Sequence, residues 1–170
     1  MQDAEYAERL RNLGVPAERV IVTGSVKYDG ASGERNTPKG QELRRLLGLS
    51  HSDSRVIWLA GSTHAPEESI VLAVFTRLRT RFPHLHLILV PRHPDRFDEV
   101  AALVEAAGLP FVRRSRIVNS LPILPAVVLL DSVGELGAAW GLADLGFTGG
   151  SLDGLRGGQS MIEPAGYGVP

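Results

Sequence analysis

At 170 residues with 44% hydrophobic side chains, the chain is long enough for one domain with a full core and too apolar to be disordered. A net charge of −1 lacks the basic excess of a phosphate-tracking nucleic-acid protein, and the absence of cysteine rules out disulfides and thiolate zinc sites. No apolar run reaches the ~18 residues of a membrane helix, since LPILPAVVLL is broken by Pro122 and Pro125, and the polar, acidic start MQDAEYAERL is unlike a signal peptide.

In chain order, Gly14 closes a first helix, and RVIVT (19–23) is a β-branched run expected as the first strand, followed by the turn TGSVKYD. GASGERNTPKG (30–40) reads as a mobile loop that ends in a cap, Thr37 with Pro38, ahead of a helix carrying Leu43, Leu46 and Leu47 and stopped by Gly48. The strand RVIWLA (55–60) leads through GSTHAPEE into a helix whose stripe is Ile70, Val71, Val74, Phe75 and Leu78, with Arg77, Arg79 and Arg81 at its carboxyl end. LHLILV (85–90) is the next strand, with His84 and His86 half-exposed at its start. It is followed by PRHPDRF and a helix on Phe97, Val100, Ala101 and Val104 that Gly108 ends. A weaker strand FVRR begins at Phe111; AVVLL (126–130) precedes DSVGEL, and DLGFT (144–148) precedes GGSLDG. Continuous rather than alternating apolar runs, separated by helices, predict an α/β fold: a Rossmann-like open parallel sheet with helices on both faces.

Ligands of such sheets sit beyond the carboxyl ends of the strands, and right-handed crossovers bring those ends to one edge. The five turns after 19–23, 55–60, 85–90, 126–130 and 144–148 are therefore expected to form one polar crevice. Each also has an ordinary structural use: Ser62 or Thr63 as a helix cap, Arg92 and Arg96 as surface cations beside Asp95 and Asp98, Lys27 with Asp29 as a solvated pair. In GGQSMIEPAG (157–166), two glycines ahead of a helix start suit close approach to a phosphate, with Glu163 placed to accept ribose hydroxyls. Ser160 and Glu163 equally have capping-box spacing, and the residues alone leave both uses open. Neither G-x-G-x-x-G nor a Walker loop is present, and GGSLD departs from a nucleophile elbow at Asp153. His64 and His93 can meet in the crevice, yet no carboxylate set accompanies them, so no metal is expected.

Taken together, VTGSVKYD, GSTHAPEE, LVPRHPDRF, LLDSVGELGAAWGLADLGFTGGSL and GGQSMIEPAGYGVP resemble the donor-binding half of 3-deoxy-D-manno-octulosonic acid (Kdo) transferases. These enzymes move Kdo from CMP-Kdo to lipid A precursor in lipopolysaccharide biosynthesis. The resemblance covers almost the whole chain and implies one half of a glycosyltransferase B architecture, so residues 1–170 are expected to be a single donor-nucleotide-binding domain from a two-domain enzyme, inactive alone. It implies that Arg92 with Gly149, Gly150 and Ser151 meets the donor phosphate and sugar, that Gly134, Glu135 and Leu136 lie beside the cytosine, and that Glu163 holds the ribose. Lys27 would lie near the donor, with Ser62, Thr63, His93, Gln159 and Ser160 completing the rim. No catalytic residue is expected here, because the family's general base comes from the other domain. The parent would work at the cytoplasmic face of the inner membrane, with lipid A precursor held by the acceptor domain and no cofactor beyond the donor. Ser25, Gly61 and the pair Gln159 and Ser160 depart from the family's usual residues, which favours a capping role for Ser160. A UDP-sugar transferase or epimerase domain, or a stand-alone nucleotide-binding module, remains the alternative.

Overall fold

The computed structural model describes residues 1–28, 33–50, 54–152, 154 and 157–170, excluding the side chain of Lys27. The chain divides into two compact units, Met1–Ser32 and Gly33–Pro170. In the first, helix α1 (Ala4–Asn12) is capped by Asp3, whose side chain accepts the Tyr6 N–H. Residues 19–23 form no strand, contrary to the sequence expectation. Val20 is buried, but Ile21 and Val22 are exposed, and the Thr23 N–H is donated to the Met1 carbonyl. β-branched residues favour a strand only where a pleated partner covers them, and this run has none among the described residues.

The second unit is built on five parallel strands, β1 (Val56–Thr63), β2 (Leu85–Pro91), β3 (Phe111–Arg113), β4 (Val127–Leu129) and β5 (Leu145–Thr148), in the order β3-β4-β2-β1-β5. Side chains alternate between two cores. Ile57, Leu59, Ile88, Val90 and Val128 face α2 (Pro38–Leu46) and α5 (Leu136–Trp140), whose Leu43 and Trp140 fill that layer. Leu87, Leu89, Val127 and Leu129 face α3 (Glu67–Arg81) and α4 (Phe97–Ala106), packed on Val71, Phe75, Val100 and Val104. Both faces of every central strand are thus covered, which is why the strand sequences run apolar without a break.

Local signals place α2 at both ends but misassign the buried face of α3. Thr37 accepts the Gly40 N–H at 3.1 Å, as a cap should, and Gly48 follows α2 with φ +64°. The buried face of α3, however, is Glu67, Glu68, Val71, Leu72 and Phe75, while Ile70, Val74 and Leu78 are exposed. Two buried carboxylates in the first turn rotate the helix away from its most apolar stripe. His86, expected half-exposed, is buried with Nδ1 2.7 Å from the Pro125 carbonyl. No helix among the described residues is long and apolar enough to cross a membrane.

After β1 the chain turns into α3 against one core, whereas after β5 it reaches α6 (Ile162–Gly166), which contacts α5 on the other side of the sheet. Adjacent strands whose chains leave toward opposite faces open a crevice between their carboxyl ends.

Candidate functional site

Hydrogen bonds knit the strand ends into one rim. The Gly149 N–H is donated to Gly61 O at 2.8 Å, and the Arg92 N–H to Thr63 O at 2.9 Å. Gly158 and Gln159 donate their N–H groups to the carbonyls of Gly150 and Gly149, both at 2.8 Å. The His64 and His93 rings meet edge to face with centroids 5.2 Å apart. Ser62, Thr63, Arg92, His93, Gly149, Gly150, Ser151 and Gln159 therefore gather at the same end of the sheet. Among the described residues no group of three metal-ligating side chains forms there.

Within this rim the residues differ in what they can offer. Ser62 is partly exposed with φ +55°, a sparsely populated conformation for a side-chain-bearing residue. Thr63 is fully buried, its hydroxyl directed at Val90 O. Neither caps α3 as the sequence suggested; the cap position is Pro66, which offers no side-chain hydrogen bond. Gly61 makes room for the core: a Cβ there would come 2.7 Å from Trp140 and 3.1 Å from Leu136.

Charges sort into spent and available. Arg96 is paired with buried Glu68 at 2.6 Å and with Glu99 at 2.8 Å, rather than with Asp95 or Asp98. Arg113 joins buried Asp131 and Asp98, at 2.6 and 2.5 Å, and Asp131 also accepts both the N–H and the hydroxyl of Ser115. Burial alone would raise the Asp131 pKa, but the Ser115 and Arg113 contacts outweigh it and hold the carboxyl below its ordinary value. Arg92 is exposed and has no ion pair among the described residues. Its guanidinium therefore differs from those of Arg96 and Arg113, which are held by acids.

A third buried carboxylate, after Glu68 and Asp131, lies under the crevice. Glu67 is fully buried, and its oxygens accept the N–H groups of His64, Gly150, Ser151 and Leu152 at 2.9, 2.8, 2.9 and 3.1 Å. Desolvation would raise its pKa; the four backbone donors win and the pKa is lowered. Sequence reasoning missed Glu67, Asp131, Arg113 and Ser115, because their partners lie far along the chain and no local pattern announces them.

Beyond β4, Gly134 is exposed with φ +84°, while the Glu135 carboxylate is engaged by Arg114 at 2.8 Å and by the Ser132 hydroxyl, and Leu136 packs on the core. In the 157–166 segment Ser160 Oγ accepts the Ile162 N–H at 3.3 Å, a partial cap on a helix of five residues that starts one position later than expected. Glu163 is exposed in its first turn. Lys27 belongs to a short 3₁₀ turn of the first unit, and its side chain lies outside the described residues, as do Asp29 and Asp153.

No family model matches the chain. It is 39% identical over 170 residues to a 3-deoxy-D-manno-octulosonic acid transferase of Haemophilus influenzae and 34% identical over 172 residues to one of Bordetella pertussis, matching 99% of this chain and 38% of the relative in both cases. The chain thus spans well under half the length of these curated relatives. Among solved structures it is similar to the C-terminal CMP-Kdo binding domain of WaaA from Acinetobacter baumannii, with a TM-score of 0.69 and 35% identity, over 78% of this chain and 68% of that one. With a parallel α/β sheet in common and identity at this level across most of both chains, the protein belongs to the 3-deoxy-D-manno-octulosonic acid transferase family.

Proposed function

We propose that this chain is the donor-binding domain of a Kdo transferase, holding CMP-Kdo at the carboxyl edge of its sheet. One observation carries the proposal: Arg92, His93, Ser62, Ser151 and Gln159 converge on the β1/β5 crevice in a chain 35% identical to a domain described as binding CMP-Kdo. In this arrangement the guanidinium of Arg92, which has no ion pair among the described residues, meets the single donor phosphate through charge-assisted hydrogen bonds. The exposed Ser151 side chain and Gln159 approach the phosphate and sugar, Glu163 accepts the ribose hydroxyls, and the Gly134–Leu136 backbone borders the cytosine. Arg92 then stabilises the charge that grows on departing CMP as the glycosidic bond breaks. The acceptor, lipid A precursor, and the general base belong to another domain of the parent enzyme, working at the cytoplasmic face of the inner membrane, and the isolated domain is inactive.

Calorimetric titration tests the proposal. CMP is expected to bind saturably and more tightly than UMP or UDP. Losing one charged hydrogen-bond donor is worth about 1.5–3 kcal/mol, so Arg92→Ala should weaken CMP by roughly ten-fold or more. Absence of saturation with CMP, or equal affinity for UDP, would contradict it.

A further inference from the structure

We propose that Glu67 is a positioning residue that shapes the donor crevice from beneath. The proposal rests on the donor-binding reading above. β1 and β5 part company at the Gly61–Thr148 pair, and past the Gly149 N–H to Gly61 O bond the Gly149–Leu152 turn is held to the β1 side by three N–H groups given to one side chain, Glu67. The fourth bond, from His64, fixes the same carboxylate to the turn that follows β1. Two loops that serve one ligand are thereby locked to each other through a single residue.

Filling space does not explain the choice of residue. An apolar side chain would fill a fully buried position without the cost of desolvating a carboxylate, whereas an ionised group is tolerated there only if donors surround it. Ser151 and Leu152 are exposed residues whose N–H groups would otherwise turn to water; here they aim inward. Gly149 fits the same design, because a Cβ would lie 2.6 Å from Thr63 Cα and 2.7 Å from a Glu67 oxygen, and would also clash with the Ser62 carbonyl. Gly150 supplies φ +80° for the turn. The paired glycines thus let the turn pack against the β1 backbone and Glu67 before any ligand arrives. With three amides of the turn committed to Glu67, it is the exposed Ser151 side chain rather than these N–H groups that this turn offers a phosphate.

Amide exchange and CMP titration of the 170-residue chain decide the matter. In the wild type, the Ser151 and Leu152 amides are expected to exchange slowly despite the exposure of those residues, as is the amide of buried Gly150; unprotected Ser151 and Leu152 amides would overturn the proposal even if no variant folds. Glu67→Gln and Glu67→Ala, titrated well below their unfolding temperatures, should bind CMP roughly ten-fold or more weakly, the scale expected when supporting groups let a site drift. Formate, a carboxylate small enough for the space left in Glu67→Ala, should restore part of that affinity where chloride at equal ionic strength does not. A folded variant with lowered melting temperature but wild-type CMP affinity would make Glu67 merely structural and end the proposal. Wild-type chain that fails to bind CMP would instead remove the donor-binding reading, and the role of Glu67 in it.

Discussion

Asp131 and Glu67 are fully enclosed acids in a family of contacts that sequence reading reduces to strand-end polarity. Both are held ionised by donors, Asp131 by Ser115 and Arg113, Glu67 by four backbone N–H groups. A carboxyl whose folded pKa lies below its unfolded value contributes stability that is complete above the unfolded value, about 4, and is lost as pH falls through the lower folded value. Urea unfolding should therefore give a flat stability above about pH 5.5 and a decline below pH 4. Asp131→Asn should lower stability at pH 7 by about 3 kcal/mol, since it leaves Arg113 without its buried partner. Part of the wild-type acid decline should vanish with it. Exposed pairs such as Arg9–Glu5 offer no comparable effect, because water already screens them. Arg92 differs from Arg96 and Arg113 only in what surrounds it, and that difference is invisible along the chain.

At the scale of elements, the strands at 56–63, 85–91 and 127–129 were legible because burial on both faces leaves an uninterrupted apolar signature, whereas 145–148, an edge strand only partly buried, was legible from its few apolar residues ahead of a glycine turn. The run at 19–23 carries the same signature without the covering partner, so it was misread. Helix α3 shows the converse failure: its apolar stripe was plain, yet the helix turns Glu67 and Glu68 inward and leaves Ile70, Val74 and Leu78 facing out. The orientation has an energetic consequence that thermal or urea unfolding can read. Phe75→Ala should cost about 3–5 kcal/mol as a core cavity, while Val74→Ala should cost less than about 1 kcal/mol. Equal losses at the two positions would mean that the face assigned here is wrong. The Thr37 cap and the glycine stops at 48 and 108 were readable because each acts within a few residues of its own position.

For the whole molecule, parallel topology led the sequence reading to expect five polar turns on one sheet edge; four of them follow strands of the sheet, the turn after 19–23 does not because that run forms no strand, and the structure adds how the rim is fastened. What sequence could not supply was the division of labour within the rim: Thr63 buried, Glu135 already paired, the Gly150–Leu152 amides turned toward Glu67, and Arg92 unengaged by any described acid. These depend on contacts spanning up to 85 residues, as between Glu67 and Leu152. The most direct test is to follow backbone amide resonances of the 170-residue chain as CMP is added. The donor site described here predicts saturable shifts confined to residues 61–64, 91–93, 132–136, 149–152 and 157–163. Shifts centred instead on the opposite, amino ends of the strands, near residues 55–57, 84–86 and 125–127, would contradict it.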